Sequence, residues 1–145
     1  MVAYEEEWVF PAPKDVVWKL LDAHLDDATI SVIHPLVRSQ KTVRRTEEEI
    51  VFDRVIDVRG KLMDSRWKVT YHRPYSARWD IVGGKGPWAP GSYLENTYSD
   101  APGGTSVRTR ADMTISVLPF FMSQKRNVAK VLEGIDAQDM AFLRR

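Results

Sequence analysis

The sequence predicts an α+β domain: a curved antiparallel β-sheet wrapped around a long C-terminal α-helix, with two short helices between strands 1 and 2. Three observations predict it. Pro11-Ala12-Pro13 separates a strand-like N-terminus from a short helical stretch. From Leu36 to Val117 short segments alternate apolar and polar residues and are divided by turn formers. After Pro119 the apolar residues recur at helical spacing. Consecutive strands closed by a helix give an α+β arrangement, not βαβ units.

In the first strand Tyr4, Glu6, Trp8 and Phe10 share one face, and Glu5 and Glu7 the other. Pro13 suits a first helical turn, where a missing N–H costs nothing, so Lys14 to Ala23 reads as a helix burying Val17, Trp18 and Leu21. Leu25 to Ile33 reads as a second short helix, ended by His34-Pro35 because a residue before proline is pushed out of the α region. Val37 to Arg45 and Glu49 to Arg59 form a strand pair joined at Thr46-Glu47-Glu48. Lys61 to His72 alternates, with Met63, Ser65, Trp67, Val69 and Tyr71 on one face. Arg73-Pro74-Tyr75 is a turn, and Ala77, Trp79 and Ile81 follow on a shorter strand. Gly83 to Pro87 is a loop, Ser92 to Ser99 a strand, and Asp100 to Gly104 a hairpin turn. Thr105 to Val117 carries Val107, Thr109, Ala111, Met113, Ile115 and Val117 on one face.

Pro119 ends that strand, and a helix runs from about Phe120 or Phe121 to Leu143. Val128, Val131, Leu132, Ile135 and Phe142 recur along it, Ser123 can cap it, and Gly134 suggests a close approach. A helix of about twenty residues is about 30 Å long, enough to lie across a curved sheet. Space left between the two is the usual place for a small-molecule site.

The 145 residues fit one domain spanning 1–145. A net charge of +1 with interspersed signs excludes the basic stripe of a nucleic-acid binder. With no cysteine there is no disulfide, thiol nucleophile or thiolate metal site. The N-terminus lacks the basic start and apolar run of a signal peptide, and no apolar stretch is long enough for an integral membrane segment. A cytoplasmic protein is the expectation.

Three stretches, in this order, resemble the START/polyketide-cyclase (SRPBCC) superfamily with its helix-grip fold. They are Trp8 to Leu21 around the Pro-Ala-Pro break, Ile33-His34-Pro35-Leu36-Val37, and Pro102-Gly103-Gly104-Thr105-Ser106-Val107. The resemblance covers nearly the whole chain. It implies a cavity for lipids, polyketides, quinones or similar apolar molecules, and leaves open whether a reaction occurs there.

The residues narrow the chemistry. No Gly-x-Ser-x-Gly elbow is present, and Gly83-Gly84-Lys85-Gly86 lacks the spacing of a phosphate loop. His24, His34 and His72 form no close ligand pair, so neither a metal nor a cofactor is expected. His24 with Asp26 and Asp27 reads as a solvated inter-helix turn, and His72 as a rim residue. Trp67, Tyr71, Trp79 and Met113 on the sheet, with Val131 and Ile135 on the helix, are the expected ligand-binding wall. Arg54 shares its parity with Ile50, Phe52, Ile56 and Val58. An inward arginine needs a partner, either an acidic group on the ligand or Glu95. Which face of its strand Glu95 occupies stays open. The expected function is binding or transport of a hydrophobic molecule. The alternatives are a cyclase- or dehydratase-like enzyme using Glu95, Tyr71 or His72, and an interaction module whose pocket is a packing defect.

Overall fold

The computed structural model describes residues 2–116 and 123–143. The elements are β1 (Val2–Phe10), α1 (Lys14–His24), α2 (Ile30–Ile33), β2 (Val37–Arg45), β3 (Glu49–Val58), β4 (Lys61–His72), β5 (Ser76–Gly84), β6 (Tyr93–Ala101), β7 (Gly104–Met113) and α3 (Gln124–Leu143). The seven strands form one antiparallel sheet in the order β1-β7-β6-β5-β4-β3-β2. The helices α1 and α2 therefore carry the chain from one sheet edge to the other. Register shifts in the β2–β3 and β4–β5 pairs add local bends to the strands. The curved sheet and the C-terminal helix match the predicted fold class.

Alternation decides which face is inside. On β3 the buried residues are Ile50, Phe52 and Arg54, and on β4 they are Met63, Ser65, Trp67, Val69 and Tyr71. The opposite face is charged, and Arg66 donates to both Asp53 carboxylate oxygens at 2.7 and 2.9 Å. From α3, Val128 and Leu132 close the main core over Phe52, Trp67, Val69 and Met113. A second cluster joins Phe10, Val17, Leu20, Ile33 and Val107.

Two of the motifs that carry the resemblance touch each other. The Thr105 hydroxyl, fully buried, donates to the Ala12 carbonyl at 2.7 Å. A Cβ on Gly104 would stand 1.9 Å from the Phe10 carbonyl oxygen. The glycine turn thus packs directly on the Pro-Ala-Pro break, and only glycine fits there.

Four details differ from the sequence reading. The second helix covers only Ile30–Ile33. Leu25 caps α1, and the Asp26 carboxylate accepts the backbone N–H groups of Ala28 and Thr29; such local bonds compete with a helix. Strand β5 runs to Gly84 and is not short. Strand β7 ends at Met113, and Ile115 instead bridges to Trp88. Gly134 has open space where a Cβ would be, so no close approach among the described residues explains it. Ser123 does cap α3, accepting the Arg126 N–H at 3.2 Å. Val117, the stop at Pro119, the helix start at Phe120 or Phe121 and the Phe142 side chain lie outside the described residues.

Candidate functional site

Between the inner sheet face and the helices lies a cavity of about 740 Å³. Its wall is largely aromatic and aliphatic: Trp8, Trp67, Trp79, Trp88, Met113 and Val131 among others. Trp79 stands edge-on to both Phe52 and Trp67. The Trp67 indole N–H is satisfied by the Ser65 hydroxyl at 3.1 Å. The Trp8 indole N–H is buried without a partner among the described residues.

Arg54 lies in this wall and is 8% exposed. It sits opposite Gln40 on β2 and Ser65 on β4. Its Nε donates to the Gln40 Oε1 at 2.9 Å, and the Gln40 Nε2 donates onward to the His24 carbonyl at 3.0 Å. Its Nη2 is buried and has no partner among the described residues. The guanidinium lies 4.9 Å from the Phe52 ring centre and 5.8 Å from those of Trp67 and Trp79. These ring faces attract a cation but do not replace a hydrogen bond. Burial pulls Arg54 down to about 9.

A second polar group lies where α1, the end of α2 and α3 meet. His24, His34 and Asp139 all line the cavity. The Nε2 atoms of the two histidines are 3.0 Å apart, and each is 3.0 or 2.9 Å from the same Asp139 oxygen. The Nδ1 of His24 contacts the Leu20 carbonyl at 2.7 Å, and that of His34 contacts the Gln138 side-chain oxygen. Burial pushes the Asp139 carboxyl up, but the hydrogen bonds and charges of His24 and His34 outweigh it and hold it below the usual range.

Of the residues expected at the site, Arg54, Trp67, Trp79, Met113, Val131 and Ile135 all stand in the cavity wall. Tyr71 does not. It is buried beside the cavity, and its hydroxyl donates to the Thr46 carbonyl at 3.0 Å. Glu95 is on the outer face with Lys68, His72 and Arg78, because Leu94, Asn96 and Tyr98 take the inner positions of β6. Arg54 therefore has no pairing with Glu95. The trio Glu95, Tyr71 and His72 is not assembled in the cavity. His24 was expected in a solvated turn and is instead half-buried in the wall. Trp88, just past the loop read as ending at Pro87, was missed. So was Asp139, although it continues the Val128, Leu132, Ile135 face at helical spacing.

Asp136 also lines the cavity, and burial first, then the charges of Asp139, Glu6 and Glu133, raises it from 3.8 to about 7. Between about pH 4 and 7 the folded chain keeps a proton that the unfolded chain has lost. This group's contribution to stability therefore falls as pH rises through that window. Asp136→Asn should leave the melting temperature unchanged near pH 4 and raise it by a growing margin up to about pH 7, with a plateau above. Melts of both chains across that range check this; a difference independent of pH speaks against it.

No family model matches the sequence, and no curated protein is significantly similar to it. Solved structures are similar in fold. A START superfamily protein from Mycobacterium smegmatis matches with a TM-score of 0.76 at 11% identity, over 98% of this chain and 97% of that one. Ara h 8.0201 matches with a TM-score of 0.74 at 18% identity, over 97% and 96%. The di-domain ARO/CYC StfQ from the steffimycin biosynthetic pathway matches with a TM-score of 0.76 at 13% identity, over 97% of this chain and 48% of that one. The chain shares the helix-grip fold with these proteins. Among the described residues no helix is long and apolar enough to cross a membrane.

Proposed function

We propose that this chain binds an apolar small molecule bearing one acidic group, such as a fatty acid or a phenolic polyketide, inside the helix-grip cavity. The observation that carries the reading is Arg54: a buried guanidinium, its Nη2 without a partner among the described residues, in a wall rich in aromatic side chains. A carboxylate or phenolate supplies the partner it lacks, and the apolar body of the ligand meets the tryptophans. The cavity volume of about 740 Å³ lies within the range of small-molecule sites. A packing defect is far smaller, which disfavours an interaction module with an incidental hole.

The test is a titration with a fluorescent polyene fatty acid and with its methyl ester. Saturable binding at one site, quenching of tryptophan emission, and preference for the acid are the expected results. Failure of a broad panel of apolar acids to bind, up to their solubility, removes the reading.

A cyclase-like enzyme is the second reading, in keeping with the aromatase/cyclase among the structural neighbours. One observation favours it: three titratable groups, His24, His34 and Asp139, within hydrogen-bond reach of one another in the cavity wall.

A further inference from the structure

His24, His34 and Asp139 bring together three atoms, each able to offer a lone pair. A backbone carbonyl can only accept, so the His24 Nδ1 facing the Leu20 oxygen carries the ring proton. The His34 Nδ1 facing the Gln138 Oε1 does the same. A ring that is neutral with its proton on Nδ1 presents the lone pair of its Nε2. The two Nε2 atoms and the Asp139 Oδ1 face one small space with mutual separations of 2.9–3.0 Å. With both rings in that form the three are acceptors, and acceptors that close repel one another. One added proton bridges a single pair of them and leaves the third lone pair facing the others.

A metal ion satisfies all three, and the spacing selects its geometry. Ligand atoms about 2.1 Å from an ion stand about 3.0 Å apart at right angles, and about 3.4 Å apart at tetrahedral angles. The observed separations fit right angles, so the three atoms occupy one face of an octahedron. Two imidazoles and one carboxylate suit a first-row transition ion and leave the remaining positions open. The contacts behind the histidines also fit. Metal-bound histidines almost always donate their other ring N–H to a carbonyl or carboxylate, as His24 and His34 donate to Leu20 and Gln138. All three residues line the cavity.

We propose that His24, His34 and Asp139 bind one divalent first-row transition ion as a facial triad whose open positions face the cavity, where an oxygen of a bound molecule can coordinate. The site does not depend on the identity of the cavity ligand. It departs from the metal-free protein that the histidine spacing suggests, because the triad is assembled from three separate elements.

Co²⁺ is the probe. The full chain, stripped with a chelator, is titrated with Co²⁺ while visible absorption and bound metal are measured. The expected result is one Co²⁺ per chain, with the weak bands of a five- or six-coordinate nitrogen–oxygen site. Asp139→Asn keeps the shape of the side chain and removes its charge, and should weaken Co²⁺ binding by about 100-fold or more. Gln138→Ala, which removes only the support of His34, should weaken it by about 10- to 100-fold. His72→Ala, on the outer face, should bind as the parent does. Melting curves of each variant confirm that it is folded. Absence of stoichiometric binding to the parent chain, or affinity unchanged in both Asp139→Asn and Gln138→Ala, overturns the site and identifies a proton-sharing cluster instead. Fatty-acid binding by the chelated Asp139→Asn chain separates the two proposals, since loss of metal with retained fatty acid leaves the cavity reading intact.

Discussion

Ending the chain at Pro119 should abolish cooperative unfolding. The truncation removes α3, and with it Val128 and Leu132, which are 0% and 5% exposed. Each such side chain contributes about 1.5–3 kcal/mol through burial. The sheet side loses its cover as well, leaving Phe52, Trp67, Val69 and Met113 facing water. Gln124 is lost too; its side chain holds both the N–H and the carbonyl of Ile115, each at 3.0 Å. A domain's whole stability is about 5–15 kcal/mol, so these losses together exceed the margin. The expected record is a broad, featureless melt by circular dichroism and strong binding of an apolar dye. A sharp cooperative melt of the shortened chain would mean that the sheet and the short helices stand without the helix.

The fold was legible because strand alternation and helix periodicity are local signals. Arg54 illustrates how far they reach: parity with Ile50, Phe52 and Ile56 alone placed a charged residue inside. Glu95 shows where they stop. Its strand has neither an apolar nor a charged face, with Tyr93, Glu95 and Thr97 on one side and Leu94, Asn96 and Tyr98 on the other. Only pairing resolves it, since Asn96 lies opposite Thr109 on the apolar strand β7 and accepts its hydroxyl at 2.7 Å.

The histidine cluster lay further from view for a different reason. His24 and His34 end separate short helices, and Asp139 is 115 positions from His24. No spacing rule joins such residues, because the distance between them is set by how α3 packs across the sheet. One local sign existed. Asp139 falls on the same stripe as Val128, Leu132 and Ile135, so a carboxylate on a buried helix face was readable by the logic applied to Arg54. Both exceptions to the apolar pattern stand in the cavity wall. They are also linked, since Gln40 connects the Arg54 guanidinium to the carbonyl of His24.

Changing Arg54→Met should weaken acidic ligands, spare neutral ones and raise the melting temperature of the ligand-free chain. Methionine keeps much of the apolar stem and removes the charge. A hydrogen bond to a charged group contributes about 1.5–3 kcal/mol, so a fatty acid should lose about 10- to 150-fold in affinity. Its methyl ester, which cannot use the charge, should change little. The stability effect follows from the same burial. The folded chain draws Arg54 down from 12.5 to about 9. The unfolded chain holds the proton more firmly, so at neutral pH the charged guanidinium costs the fold stability. Loss of the donor leaves the Gln40 Oε1 unsatisfied, at about 1–3 kcal/mol, which offsets part of that gain. Paired titrations with acid and ester, and melts of both chains without ligand, measure the two effects separately. A lowered melt with equal losses for acid and ester would assign Arg54 to holding Gln40 and the end of α1 in place, and take the anionic anchor out of the cavity.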